Sequence, residues 1–337
     1  MKKALITGIT GQDGSFLADL LLEKGYEVHG LVRRSSRGWG ALENVAHLVN
    51  NPDIYRKKLI LHNGDLCDTS SLNRILQEVR PQELYNFGSQ ADVADSFFQP
   101  EYTHDATGTS VVRLLEAVKR FSPDTKFVQA STSELFGKVK TEPQNEETPL
   151  NPQSPYAVAK YVGYQSVRNY RDGYKLFASN SIAFNHASER RTSDYLDAKV
   201  TRAVARIYHK LQDNVRLGNL DSYRDWCYAP NIVRGMWLIL QQDKPDDFVL
   251  GSGKKIQVRD WVRMCFEYVG LKMDDHVVFD PALMRPTEVD SLLADYSKAK
   301  RVLGWEPTVD VRGLIKIMMD SDLKKAKQEK LCSTNTQ

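Results

Sequence analysis

Ala4-Leu5-Ile6-Thr7-Gly8-Ile9-Thr10-Gly11-Gln12-Asp13-Gly14 is the stretch on which the fold turns. A short apolar run ends in glycines at 8, 11 and 14, and a helical pattern over residues 16–23, closed by Gly25, follows at once. This reads as strand, tight turn and helix. Glycines at such a junction admit the turn and let backbone approach a pyrophosphate, whose charge is favoured at a helix N-terminus. Gly8, Thr10, Gly11, Gln12, Asp13 and Gly14 are therefore candidate cofactor-binding residues.

Outward from that junction the same unit recurs. Apolar, β-branched runs at 4–6, 28–32, 59–61, 84–87 and 127–130 are separated mostly by helical patterns, at 16–23, 70–79 and 111–120. Strands alternating with helices of this length imply right-handed βαβ units and a parallel sheet, an α/β protein of the doubly wound Rossmann type. A further helix over about 156–174 leads into an apolar run at 177–184. Beyond it, helical patterns at 198–211, 232–241 and 258–269 alternate with short strands and polar loops, without the βαβ rhythm. The expected organisation is a cofactor domain over 1–175, whose sheet strands continue to about 250, and an interleaved, smaller C-terminal substrate-binding lobe over 176–325. A Lys/Gln/Ser/Thr-rich tail over 326–337 is expected to fray.

A chain of 337 residues can bury the core of such a domain. Its net charge of +3 is too small to point to nucleic acid or an anionic membrane as partner. Cys67, Cys227, Cys265 and Cys332 form no CxxC pair, and His186 lacks ligand spacing, so neither a disulfide framework nor a metal site is expected. The first apolar run stops after three residues and no run reaches membrane-spanning length. A cytoplasmic enzyme is the expectation.

The end of the second strand bears on the choice of nicotinamide. An NAD enzyme usually places Asp or Glu there; this chain has Val32-Arg33-Arg34-Ser35-Ser36. Arg33, Arg34 and Ser35 suit a 2′-phosphate, which favours NADP over NAD. After the third strand, Asp65 and Leu66 are placed to meet the adenine, although Asp65 reads almost as well as a turn residue.

Tyr156 and Lys160 lie four apart on a predicted helix and share a face. A free phenol ionises near about 10, and a neighbouring ammonium favours the phenolate, so Tyr156 is the candidate base. The pair follows Ser131-Thr132-Ser133-Glu134, at the carboxyl end of a predicted strand, where open α/β sheets bind ligands. Thr132 adds a hydroxyl. Glu134 adds a second base, able to take a proton from carbon next to a new ketone and so permit elimination. Farther along, Asn185-His186, Arg190-Arg191, Lys199, Arg224-Asp225-Trp226 and Arg285-Pro286-Thr287-Glu288 each read singly as a solvated face or a structural ion pair. Together they are candidates for a diphosphate clamp, with Glu288 the candidate for ribose hydroxyls.

With these residues in view, the chain resembles the GDP-mannose 4,6-dehydratases of the extended short-chain dehydrogenase/reductase superfamily. The likeness runs from about Lys3 to about Asp322. It rests on the stretch 7–14, Leu31-Val32-Arg33-Arg34-Ser35-Ser36, Gln129-Ala130-Ser131-Thr132-Ser133-Glu134, Ser154-Pro155-Tyr156, Phe184-Asn185-His186, Gly218-Asn219-Leu220-Asp221, Arg224-Asp225-Trp226 and the stretch 285–290. The resemblance implies that Tyr156 takes the proton of the sugar 4-hydroxyl while hydride passes to NADP⁺. Glu134 then removes the C5 proton, water leaves C6 with help from Thr132, and the hydride returns to C6. It also implies cofactor contacts from Lys160 and His186, and sugar-nucleotide contacts from Asn185, Arg191, Lys199, Arg224, Arg285 and Glu288. A homodimer or homotetramer is implied too, in which the 34–36 loop approaches a neighbour's cofactor.

Four stretches depart from the family pattern. Gln90-Ala91-Asp92 stands where Gln-Ser and an aromatic or His are usual. His186-Ala187-Ser188-Glu189-Arg190-Arg191-Thr192 replaces His-Glu-Ser-Pro-Arg-Arg-Gly, Asp197-Ala198 replaces Thr-Arg, and Asn231-Ile232-Val233 replaces Asp-Tyr-Val. With the catalytic set intact and its neighbours changed, a GDP-manno-heptose stands beside GDP-mannose as substrate. A 4-epimerase, 4-oxidase or 4-reductase of the same superfamily is the alternative reaction, and a catalytically silent NADP-binding regulator the alternative class.

Overall fold

A parallel pair of strands needs a crossover connection, and in this chain each early strand is followed by helix that packs back on the sheet. The computed structural model describes residues 1–33, 42–284 and 286–334. The first half runs β1 (Lys3–Thr7), α1 (Gln12–Glu23), β2 (Glu27–Val32), α2 (Ala46–Val49), β3 (Leu59–Asn63), α3 (Thr69–Val79), β4 (Glu83–Asn86), α4 (Val93–Phe98), α5 (Pro100–Thr103), α6 (Ser110–Phe121), β5 (Lys126–Thr132) and α7 (Pro155–Tyr174). It continues through β6 (Ala178–Ala183), β7 (His186–Ala187), α8 (Leu196–Tyr208), β8 (Val215–Leu217), β9 (Tyr223–Asp225), β10 (Cys227–Tyr228), α9 (Ala229–Leu240) and β11 (Phe248–Leu250). Last come β12 (Lys255–Gln257), α10 (Val258–Tyr268), β13 (Val277–Phe279), α11 (Ser297–Leu303) and α12 (Val311–Thr334).

Seven of these strands form one parallel sheet in the order β3-β2-β1-β4-β5-β6-β11. This is the doubly wound order, and its direction reverses between β1 and β4, where such sheets open a crevice at their carboxyl ends. The seventh strand, β11, returns from the second half of the chain, so the lobe and the sheet are interleaved. The lobe itself holds three two-stranded pairs, β7 with β10, β8 with β13 and β9 with β12.

Local chemistry explains the helices on the sheet. In α3, Asp68 caps the first turn by accepting from the N–H groups of Ser70 and Ser71, and Leu72, Ile75, Leu76 and Val79 form one buried stripe. Val111, Leu114, Leu115 and Val118 repeat that spacing in α6, and the two stripes share one core cluster. The stretch before α6, which carries no clear apolar period, is nonetheless helical. A π-helical turn, His104–Thr109, joins α5 to α6. It lies so close to α7 that a Cβ at Gly108 would stand 2.9 Å from the Ala159 carbonyl oxygen; close helix approach, rather than an apolar stripe, holds it.

The tail departs from expectation. α12 stays helical through Thr334 instead of fraying from 326, and residues 335–337 lie outside the described residues. Leu314, Ile315, Met318 and Met319 are buried in the lobe core, Ala326 is buried, and Arg206 and Glu329 form an ion pair. Among the described residues no helix is long and apolar enough to cross a membrane.

Asp247, just before β11, ties the sheet edge to α7. Its carboxylate accepts two hydrogen bonds from Arg171, at 2.8 and 3.0 Å, and two from the backbone and side-chain amides of Asn180, both at 3.0 Å. Breaking one side of a buried ion pair costs about 3–5 kcal/mol. Asp247→Ala should therefore lower the unfolding free energy by about that much, measured by urea denaturation; a loss under about 1 kcal/mol would contradict this role.

Candidate active site

β1 ends at Thr7, and the chain must turn sharply to start α1. Gly8 does so at φ +68°, a left-handed value that favours glycine, and the Gly11 N–H closes the turn on the Gly8 carbonyl at 3.0 Å. A Cβ at Gly14 would lie 2.3 Å from the same carbonyl, so only glycine lets α1 seat on the turn. The first turn of α1 has no side-chain cap, and Gly8, Thr10, Gly11, Gln12, Asp13 and Gly14 all line a cavity of about 650 Å³ at the carboxyl ends of the sheet strands.

Thr132 and Glu134 enter this cavity from the end of β5. The Thr132 hydroxyl accepts the Glu134 N–H at 3.2 Å, which caps a short 3-10 turn and orients the glutamate. Tyr156 and Lys160 face the same cavity from the first turns of α7. That helix begins where expected: Pro155 takes an early position, and Ser154 caps it by accepting from Ala157 N–H at 3.1 Å.

The electrostatics differ from the sequence expectation. The Lys160 ammonium donates to the Ala130 carbonyl at 2.8 Å, with its nitrogen 5.7 Å from the Tyr156 ring centre. Burial lowers its pKa to about 8, against the pull of the Asp13 carboxylate. Burial also pushes the Tyr156 phenol well above its ordinary value, aided by Tyr195 and Glu134. The groups that act in the other direction are the Thr132 hydroxyl and the Arg191 guanidinium. The sequence points to Lys160 as the group that favours the phenolate; in the structure its ammonium is engaged by the Ala130 carbonyl, and burial is the first influence on both groups.

The C-terminal lobe closes the cavity with Asn185, His186, Arg191, Lys199, Arg224 and Glu288. Asn185 Oδ1 is buried without a hydrogen-bond partner among the described residues. His186 faces Asp13 across the glycine turn, Nε2 to Oδ2 at 2.9 Å. Arg224 donates through one nitrogen to the carbonyls of Tyr223 and Val289, at 2.9 and 2.8 Å. Beside it Asp225, fully buried, accepts from the N–H groups of Ser252, Gly253 and Ala294 and so ties two loops to β9.

Three cofactor candidates lie apart from this cavity. Arg33 and Asp65 line a separate, shallow hollow of about 500 Å³, where Arg33 donates to the Tyr102 hydroxyl at 2.7 Å. One Asp65 oxygen accepts the Cys67 N–H at 2.9 Å, the turn role that its sequence context allowed. Leu66 backs the strand ends, its Cδ1 being 2.7 Å from where a Cβ on Gly88 would stand. Arg34, Ser35 and Arg285 fall outside the described residues.

Two members of the site escaped the sequence. Arg191 stacks 3.9 Å over the Tyr195 ring and pairs with Asp197 at 2.9 Å. No motif marks Tyr195; for Asp197 the signal was its departure from the family pattern. Other departures divide, for Ala91, Asp92, Thr192 and Ile232 also line the cavity. Ala187 and Ala198 are both buried in the lobe core, and Asp92 caps α4 through the N–H groups of Ala94 and Asp95. Among the described residues no group of three or more His, Cys, Asp and Glu is arranged to hold a metal ion.

The depressed Lys160 has a consequence for stability. Between pH 8 and about 10.5 the unfolded chain binds a proton at this lysine that the folded chain does not, so stability rises with pH there. Lys160→Met removes that titration. Urea unfolding should show the wild type gaining about 3 kcal/mol relative to the variant across this window, and parallel curves would overturn the assignment.

Comparison with known proteins agrees with the geometry. The profile of the family described as GDP-mannose 4,6 dehydratase matches residues 5–318. GDP-mannose 4,6 dehydratase 1 of Arabidopsis thaliana is 48% identical over 335 residues, covering 98% of this chain and 92% of that protein. GDP-mannose 4,6-dehydratase of Yersinia enterocolitica is 46% identical, covering 99% and 97%. Among solved structures, UDP-glucose 4-epimerase with UDP-glucose from Thermotoga maritima superposes with a TM-score of 0.83 at 25% identity, covering 96% of this chain and 99% of that one. Matched along nearly its full length by the family profile and by these relatives, the chain belongs to the GDP-mannose 4,6-dehydratase family.

Proposed function

We infer that this protein converts GDP-mannose to the GDP-4-keto-6-deoxy sugar, with NADP as its resident cofactor. The observation that carries the reading is the convergence of Thr132, Glu134 and Tyr156 on one wall of the cavity, opposite the cations of the C-terminal lobe. A dehydrogenase needs only a hydroxyl and a phenolate at this wall. The additional carboxylate, held by the Thr132 cap, is what an elimination requires.

The glycine turn fits a dinucleotide. A Cβ on Gly11 would meet only the Gly8 carbonyl, at 3.3 Å, and otherwise enter the cavity, so backbone there is open to close approach by a pyrophosphate. The buried Asn185 Oδ1 supplies an acceptor still to be matched, which suits a hydroxyl of the sugar nucleotide. Arg33 at the end of β2, where an NAD enzyme usually carries an acid, supports NADP. Held over the glycine turn of residues 8–14, a bound nicotinamide would supply the reversible hydride acceptor that C4 oxidation and C6 reduction require.

The side chains perform the remaining steps. Tyr156 takes the 4-hydroxyl proton, with Thr132 and Arg191 favouring its ionised form. Glu134 removes the proton at C5, made acidic by the new C4 ketone, and passes it to the C6 hydroxyl, which leaves as water with the Thr132 hydroxyl at hand. When hydride returns to C6, Tyr156 gives the proton it took from the 4-hydroxyl to C5. Arg191, Lys199 and Arg224 offer cations to the diphosphate, and Glu288 accepts from ribose hydroxyls. Exposed Phe98 on α4 and Val158 and Val162 on α7 support self-association as a homodimer or homotetramer. The four free thiols suit the cytoplasm.

Purified protein incubated with GDP-mannose should give a product lighter by one water without consuming added NADPH. Running GDP-manno-heptose in parallel ranks the two sugars. Tyr156→Phe should lower kcat by about 10²–10⁴-fold. Glu134→Gln should stall with C4 oxidised and C6 intact, read by mass. Full turnover by Glu134→Gln would replace the dehydratase reading with a 4-epimerase or 4-oxidase.

A further inference from the structure

His186 opens β7, on the segment that leaves the sheet for the C-terminal lobe, and both its ring nitrogens face acceptors. Nδ1 lies 2.7 Å from the Phe184 carbonyl oxygen and Nε2 2.9 Å from Asp13 Oδ2. A neutral imidazole has one N–H, so it satisfies both acceptors only as imidazolium. The contact belongs to a longer circuit. Asp13 Oδ1 accepts from Gln12 Nε2 at 3.0 Å, Gln12 Oε1 accepts from the Ser188 hydroxyl at 2.8 Å, and Ser188 Oγ accepts the Arg190 N–H at 3.2 Å. Arg190 then pairs with Asp19 on α1 at 2.7 Å and lies 4.0 Å over the Phe16 ring. Two segments 173 residues apart in the chain are thus joined by side chains at the point where the glycine turn meets the lobe.

We propose that Asp13 and His186 are positioning residues, a charged latch that holds the glycine turn against the 186–191 loop and presents its carboxylate to Lys160. The inference rests on reading the cavity as the site of a nicotinamide dinucleotide and a sugar nucleotide. Every charged or titratable group known to face the pair comes from a separate part of the site: Arg191 from the loop, Tyr195 from the N-terminus of α8, and Lys160 from α7. Burial opposes ionisation of both partners, yet the Asp13 carboxylate holds His186 above its ordinary value, and His186 holds Asp13 below its own.

The direction of the pH dependence follows. His186 contributes fully below its unfolded value and is lost as pH rises through its raised folded value. Asp13 contributes above its unfolded value and is lost as pH falls through its lowered one. The latch is therefore closed around neutrality and opens on the alkaline side, where Lys160 also sheds its proton. Without the Asp13 carboxylate, Lys160 should lose that proton at still lower pH.

Full-length protein labelled with ¹⁵N-histidine, His186 being assigned by His186→Gln, provides the test. His186 should be doubly protonated at pH 7 and titrate above free histidine, and Asp13→Asn should move its midpoint below that of free histidine. NADPH binding, followed by fluorescence titration, should weaken roughly tenfold in Asp13→Asn and in His186→Asn. The alkaline limb of kcat/KM should shift to lower pH in Asp13→Asn, whereas Ser188→Ala, which breaks only the neutral arm of the circuit, should leave the limb in place. A neutral His186 at pH 7, unchanged NADPH affinity in both single variants, or an equal shift of the limb in Ser188→Ala would each overturn the latch. The first two measurements need no turnover. A protein that passes them but leaves GDP-mannose intact loses the dehydratase reading and keeps the latch.

Discussion

At the carboxyl ends of β1, β4 and β5 the side chains of Thr7, Asn86 and Gln129 stand opposite one another in register, all three buried. Thr7 donates to Asn86 Oδ1 at 2.5 Å, and Asn86 Nδ2 donates to Gln129 Oε1 at 2.6 Å. The row continues through Ser131, which donates to Asn180, and Asn180, which donates to Asp247. Buried amides have few ways to satisfy one another, so this ladder allows a single alignment of the strand ends. Much of the cavity lining leaves the sheet from those ends: the glycine turn after β1, the 87–92 loop after β4, whose Gly88 N–H donates to Thr7 Oγ1, the Thr132–Glu134 turn after β5, and Asn185 after β6.

What the ladder aligns, the lobe completes. The cavity wall formed by α7 carries a buried lysine whose ammonium is destabilised by burial and a phenol whose ionisation the same burial opposes, with few groups to offset either. The offsetting charges arrive from sequence far away. Arg191 reaches Tyr156 from the loop after β7, held by Asp197 and the Tyr195 ring. Asp13 reaches Lys160 from α1, itself held by His186. Charges from both halves of the protein thus meet around the cavity, and β11 carries the second half of the chain back into the sheet.

Much of this was legible in the residues. The βαβ rhythm, the sheet strands through β6, the helices α1, α3 and α6 and the start of α7 at Pro155 follow from apolar periods, capping residues and glycines, all of which act within a few positions of chain. The short α2, α4 and α5 were not legible. Thr132, Glu134, Tyr156 and Lys160 were legible for the same reason: two short motifs, each at a strand end or helix start that the local pattern placed. The π-helical turn before α6 was not legible, because Gly108 is there to approach Ala159 on another helix. Nor was the helical tail, whose hold on the lobe comes from Arg206 and the buried side chains of α8 and α10.

The sequence by itself determined the fold class and the family, and it marked the candidate reacting groups, since these are written in patterns a few residues long. Only the tertiary structure decided how the reacting groups are charged. The balance between dehydration and pairing depends on which side chains meet in a dry space, as Tyr195, Arg191 and Asp13 do around Tyr156 and Lys160. It also separated departures at the cavity from those that fill the core. Asp197 holds Arg191 at the cavity, whereas Ala187 and Ala198 lie in the lobe interior. Sequence spacing carries no record of which face a loop residue presents to a partner more than a hundred positions away.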